Sequence, residues 1–313
     1  MKKCCPLSGF QVDSTFSLQS IYITAAKDDF MKIKQVWGVY YSATGSTEKL
    51  VKFFSTVLAA CLHVPVKFRP LNSPADRQPT QSFTDSDLLV VGTPTYAGKV
   101  PNKLLPAFQS CLLGNDTPAV AMVSFGNRSY DHALAELCFV LEQNGFHTVG
   151  AAACVAQHAM AAQLAANRPT SEDLQFMGRF AEKLAGKLDA ADALPPPLCV
   201  PGDANAAYYT PLDLQGRKAV FLKATPKTDV EKCTNCKICA YVCPMGSIDP
   251  NDVTNITGIC IKCHACIKRC PAHAKYFDDD ALLSHIAMLC ANYTAAKPYE
   301  TFLSNFSSSV CSE

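Results

Sequence analysis

The chain has 313 residues, 49% of them apolar, and 28 Lys+Arg against 27 Asp+Glu for a net charge of +1. That balance argues against a broad cationic footprint for nucleic acid, and no run of 18 apolar residues offers a membrane span. Seventeen cysteines are an odd number, so they cannot all pair with one another, and the length suits two domains.

Residues 1–30 hold Lys2, Lys3, Cys4 and Cys5 without the apolar core of a signal peptide, and read as an N-terminal extension. Met31, directly before the first strand, is an equally good start. From 31 to 190 short apolar runs alternate with helical stretches. Strands are expected at 36–41, 64–68, 88–91, 119–124 and 148–155. Helices are expected at 47–62, 102–113, 130–144 and 171–190. Gly145 closes the third, and Ser171 caps the fourth ahead of Glu172 and Asp173. Strands alternating with helices predict crossover connections, a parallel sheet and an α/β fold. Pro195, Pro196 and Pro197 lie in a linker over 191–224, read as a surface coil spanning roughly 30 Å if flexible. Residues 225–280 change to short loops and cysteines, and 281–313 begin helical and end polar.

Eight cysteines fall in that short window. Cys233, Cys236, Cys239 and Cys243 follow C-x2-C-x2-C-x3-C with Pro244 next; Cys260, Cys263, Cys266 and Cys270 repeat it 27 residues later, with Pro271 next. In iron–sulfur ligation of this spacing three thiolates of a triplet hold one cluster and the fourth cysteine serves the other. The expected sets are Cys233, Cys236, Cys239 and Cys270, and Cys260, Cys263, Cys266 and Cys243. Zinc also accepts four cysteines, usually as two separated pairs, so the crowded triplets favour two 4Fe-4S clusters. Ile238, Val242, Ile248, Ile261 and Ile267 are expected to pack around them, and His264 to be exposed. Of the other cysteines, Cys61, Cys138 and Cys154 read as core residues; Cys111, Cys199, Cys290 and Cys311 have no ligand spacing. The cysteine window resembles bacterial ferredoxins that carry two 4Fe-4S clusters.

Three loops after strands carry the remaining chemistry. Ser42-Ala43-Thr44-Gly45-Ser46-Thr47 runs straight into a helix, as an anion site does, although an ordinary capped helix would read the same. It has no lysine, so it is not a nucleoside-triphosphate loop, and no G-x-G-x-x-G occurs. Thr93-Pro94-Thr95-Tyr96 and Ser124-Phe125-Gly126-Asn127 with Tyr130 follow the third and fourth strands. Loops at these strand ends converge at the switch point of a 2-1-3-4-5 sheet, and this arrangement resembles the flavodoxin family. The resemblance implies that Ser42, Thr44, Gly45, Ser46 and Thr47 hold the FMN phosphate. It also implies that Thr93, Pro94, Thr95, Tyr96, Ser124, Gly126, Asn127 and Tyr130 bracket the ring, with Tyr96 stacked on it. Trp37, the only tryptophan, is expected in the core. His158 lies where fusions resembling this chain often carry a histidine, and its role is open.

Taken together, the sequence resembles the flavodoxin–ferredoxin fusion proteins of anaerobic bacteria. The expected fold is a doubly wound α/β domain at 31–190 and a two-cluster ferredoxin domain at 225–280, joined by 191–224. The expected role is electron transfer between FMN and two 4Fe-4S clusters in the cytoplasm, with redox proteins as partners. Two alternatives stay open: a flavin-dependent reductase of a small molecule, and a ferredoxin whose flavodoxin-like half is a flavin-free docking module.

Overall fold

The computed structural model describes residues 32–306, so the expectations for 1–30 and for Cys311 lie outside the described residues. Alternating apolar runs build β1 (Gln35–Tyr40), β2 (Val66–Pro70), β3 (Asp87–Pro94), β4 (Thr117–Phe125) and β5 (Phe146–Val155). They pair in parallel in the order β2-β1-β3-β4-β5, as expected. β4 is buried along its whole length, because a parallel sheet is covered on both faces. The two-residue period then assigns the faces. Leu88, Val90, Val120 and Met122 meet α1 (Ser46–Cys61) and α4 (Ser171–Asp189) through Leu50, Phe54, Phe180 and Leu184. Leu89, Val91, Ala121 and Val123 meet α2 (Leu105–Ser110) and α3 (Ala133–Gln143) through Phe108, Leu134 and Leu137. Each such fully buried large side chain contributes about 1.5–3 kcal/mol.

Local departures have local causes. α2 is shorter than the expected 102–113, because the Asn144 side chain donates to the carbonyls of Phe108 (2.7 Å) and Leu112 (3.0 Å). That leaves Leu112–Leu113 free to pair with Gln81–Ser82. The cap of α4 is Thr170 rather than Ser171: its hydroxyl accepts from Asp173 N while Thr170 N donates to the Asp173 carboxylate, a capping box.

The segment at 191–224 has little secondary structure, yet it is pinned at many points. Lys99 Nζ donates to the carbonyls of Ala204 and Ala206, both at 2.8 Å. Tyr209 N donates to Ala97 O (2.8 Å), Tyr208 Oη to Val100 O (2.9 Å) and Leu198 N to Thr148 O (3.2 Å). It is a strap that takes its partners from the α/β domain rather than a free coil.

Beyond the strap, Lys227–Thr228 pairs with Lys275–Tyr276 and closes the cysteine-rich segment, which contains the single turns α5 (Ile238–Tyr241) and α6 (Ala265–Lys268). α7 (Asp280–Asn292) follows, capped by Asp279. Then comes an element that the sequence does not announce: β6 (Glu300–Leu303) adds antiparallel to the edge of β5, so that the sheet order becomes β6-β5-β4-β3-β1-β2. Tyr299 Oη donates to Val155 O (3.0 Å) and Tyr130 Oη to Glu300 (2.8 Å). The cysteine-rich segment is therefore anchored to the α/β domain on both sides. No helix among the described residues is long and apolar enough to cross a membrane.

Candidate functional site

The loop after β1 is folded on itself. Gly45 N donates to Ser42 Oγ (3.2 Å), and Gly45 has φ +99°, a left-handed value that glycine adopts without steric cost. α1 starts there with no side chain capping it, and an uncapped helix start is a place where N–H groups can meet an anion. Thr47 Oγ1 and Ser124 Oγ share a hydrogen bond of 2.8 Å, and Thr95 N donates to Ser124 O (2.7 Å). The three loops after β1, β3 and β4 are thus tied together at one end of the sheet.

They open onto a cavity of about 470 Å³, a size that suits a cofactor. Of the residues singled out from the sequence, Thr44, Ser46, Thr47, Pro94, Thr95, Tyr96, Ser124 and Gly126 line it. Ser42, Gly45, Thr93, Asn127 and Tyr130 are not among its lining residues. Ser42 instead shapes the loop after β1 from within, and Thr93 is fully buried. Asn127 donates to the carbonyls of Tyr293 and Ala295, and Tyr130 to Glu300, so both fasten the segment that follows α7.

Two observations test the fit of a flavin. Thr95 Oγ1 is buried without a hydrogen-bond partner, which leaves a polar atom for a ligand to satisfy. Tyr96 presents an aromatic ring to the cavity and meets Tyr41 edge-on at 6.4 Å between ring centroids. The residues present therefore suit a planar, polar-edged ring with an anionic tail.

Gly126 is required by close approach: a Cβ there would stand 2.2 Å from His158 Cδ2. His158 Nδ1 accepts from Met160 N (3.1 Å) and Ala161 N (3.2 Å), which places its proton on Nε2. Burial, reinforced by His264, His285, Lys268 and Arg128, pushes its pKa down to about 4. His158 is a neutral donor on the cavity wall.

Much of the wall comes from outside the α/β domain. The strap supplies Tyr208, Tyr209, Pro211, Phe221 and Leu222, and Arg128 covers the Tyr209 ring at 4.0 Å. α7 supplies His285 and Leu289. Residues 259–262, from the cysteine-rich segment, complete it. None of these was expected from the sequence. The one available signal was an adjacent pair of tyrosines in a Pro- and Ala-rich linker, where nothing else justified large aromatic rings.

The eight cysteines line two further cavities. One is walled by Cys233, Cys236, Cys239 and Cys270, the other by Cys243, Cys260, Cys263 and Cys266. The 27-residue repeat extends to the backbone. Positive φ occurs at Asn235 and Lys262, Lys237 and His264, and Gly246 and His273. These left-handed residues turn the chain so that successive thiols face one centre. Ser247 N donates to Cys243 Sγ and Ala274 N to Cys270 Sγ, both at 3.3 Å. Burial pushes the Cys263 and Cys266 thiols up to about 12, so a cationic core held there would have to displace their protons.

Several expectations are corrected here. His264 is buried, not exposed: its ring packs against Phe277 with centroids 5.0 Å apart. Ile238 is 36% exposed and does not shield the cysteines, whereas Ile248 is buried among them. Cys61 is exposed, while Cys138 and Cys154 are buried as expected. Trp37 sits at the margin of the core, half-buried, because its indole N–H donates to Asp87 (3.1 Å) while its ring meets Phe83 edge-on.

The family described as flavodoxin matches residues 39–192, and the 4Fe-4S binding domain matches 226–249. Among solved structures, a flavodoxin from the domain Archaea is 16% identical, covering 50% of this chain and 99% of its own, with a TM-score of 0.34. Oxidised flavodoxin 2 from Bacillus cereus is 16% identical over 49% and 99%, with a TM-score of 0.35. Rubredoxin oxygen:oxidoreductase from Desulfovibrio gigas is 20% identical over 51% of this chain and 37% of its own, with a TM-score of 0.31. No curated protein matches the chain.

Proposed function

Because this chain joins a flavodoxin domain to a 4Fe-4S ferredoxin domain, we propose that it relays electrons between FMN and two 4Fe-4S clusters. The observation that carries the proposal is a shared wall. Residues 259–262, Cys260 among them, line both the 470 Å³ cavity and the cavity of Cys243, Cys260, Cys263 and Cys266. The other four cysteines share no lining residue with the flavin cavity. The set containing Cys260 is thus the inner one, and Cys233, Cys236, Cys239 and Cys270 form the outer one, where Cys236 is exposed.

Each cluster carries one electron at a time and the flavin one or two, so the bound groups would interconvert single and paired electrons. The chain's own residues fix the arrangement. Thr44, Ser46 and Thr47, with the start of α1, bind the phosphate, and Tyr96 covers the ring. Ile248, Ile256 and Phe277 keep water from the inner cysteines. The N–H groups of Ser247 and Ala274 stabilise negative charge on the sulfurs they face. Arg77 of the α/β domain donates to the carbonyl of Pro244, next to Cys243, and holds the inner set against the sheet.

Protein purified without oxygen, with iron and released flavin counted, tests this. The expected content is about eight iron and one FMN per chain. About four iron would remove the second cluster, and absence of FMN after reconstitution would refute the relay.

A further inference from the structure

The loop proposed to hold the phosphate contains no cation: Ser42 to Thr47 offers hydroxyls and N–H groups only. The first turn of α1 even carries a carboxylate, Glu48, which accepts from Tyr40 (3.0 Å) and pairs with Lys52 (2.6 Å). Lys49, the nearest lysine in sequence, is turned aside to the Pro169 carbonyl (2.9 Å). A phosphate monoester carries between one and two negative charges at neutral pH, so the loop by itself leaves much of that charge uncompensated.

The missing charge comes from the cysteine-rich segment. Apart from Gly45 and its immediate chain neighbours, Arg269 Nη2 is the nearest heavy atom among the described residues to the position that a Gly45 side chain would occupy, at 3.9 Å. Arg269 directly follows α6 and directly precedes Cys270. Its guanidinium makes no ion pair or side-chain hydrogen bond among the described residues. Its field reaches the first turn of α1. Burial alone would raise the Glu48 carboxyl, but hydrogen bonds from Lys52 and Tyr40, with the charges of Lys52 and Arg269, hold it below its ordinary value. Lys268 beside Arg269 is engaged with the His158 carbonyl (3.3 Å), which fixes the direction of the segment and leaves Arg269 over the loop.

We infer that Arg269 binds the phosphate of the flavin mononucleotide, supplied across the interface by the ferredoxin domain. This contact rests on the relay proposed above. It has a consequence for assembly: the phosphate joins the flavodoxin loop to a residue adjacent to a cysteine of the outer set, so flavin binding and the fold of that set reinforce one another. A guanidinium offers two parallel N–H groups to phosphate oxygens, a geometry that lysine lacks.

Flavin-depleted full-length protein, its iron content verified, is titrated with FMN and with riboflavin, which lacks the phosphate. Arg269→Ala should weaken FMN about ten- to hundred-fold, as loss of a charge-assisted hydrogen bond does, and leave riboflavin within about twofold. Arg269→Lys should retain part of the FMN affinity, and rising salt should shrink the difference between the unaltered protein and Arg269→Ala. Equal FMN affinity in the unaltered and Ala proteins would overturn the contact while leaving the relay intact. Equal losses for FMN and riboflavin would also overturn it, because the residue would then act through folding alone. Failure of the unaltered chain to bind FMN would refute the relay and the contact together.

Discussion

Replacing Lys99 with Met leaves the Glu136 carboxylate buried without its ammonium. The two charges stand 3.0 Å apart, with 7% and 6% of the side chains exposed. At that separation and an effective dielectric of about 20 their attraction is about 5.5 kcal/mol, most of which offsets the cost of burying both. Removing one partner therefore costs about 3–5 kcal/mol. Lys99→Met also deprives the Ala204 and Ala206 carbonyls of their donor, which releases the strap whose Tyr208 and Tyr209 line the cavity. The double variant Lys99→Met/Glu136→Gln removes both charges, and its amide oxygen can still accept from Val100 N, now 2.8 Å from Glu136. It should recover about 2 kcal/mol or more of the loss. Urea unfolding under anaerobic conditions measures both variants, and the FMN dissociation rate reports the strap. The reasoning fails if the single variant loses less than about 1 kcal/mol, or if the double variant is no more stable than the single.

Two other substitutions separate the parts of the site. Cys260→Ala and Cys236→Ala should each lower the iron content from about eight to about four per chain. Only Cys260→Ala should also disturb the flavin spectrum, because Cys260 alone of the two lines the flavin cavity; identical flavin spectra would contradict the inner and outer assignment. The pH dependence of stability depends on His158, whose pKa lies near 4 against an ordinary 6.5. A base depressed by folding binds its proton more readily when unfolded. Its penalty is absent well above pH 6.5, grows as pH falls and levels off below 4, at about 3 kcal/mol in full and about 2 at pH 5. His158→Asn keeps an acceptor for the Met160 and Ala161 N–H groups and should reduce that slope by the His158 share, leaving the share of His264, whose pKa burial also lowers to about 4; an unchanged slope between pH 6.5 and 5 would contradict the assignment.

The sheet was legible because burial of a strand writes itself into neighbouring residues: Leu88 to Val91 are apolar on both faces whatever lies beyond them. The cysteine sets were legible for a related reason. A single tight loop must deliver three thiols, so spacing constrains ligation, and the same 27-residue offset recurs in the left-handed turns. β6 was not legible, since four residues near the end of a polar tail acquire strand geometry only from the free edge of β5. His264 read as a surface residue because nothing in its own loop announces Phe277.

The amino-acid sequence alone determined the chemical inventory of this protein: the thiol donors, the hydroxyl-rich loop after β1 and the strands of the parallel sheet, all of which depend on residues close together in the chain. The tertiary structure decided which of those parts adjoin. It placed Cys260 in the wall of the large cavity, drew the strap across the opening and brought Arg269 to the loop at Gly45. Such contacts join residues more than a hundred positions apart, and packing between distant segments follows shape and charge rather than any period that a sequence displays.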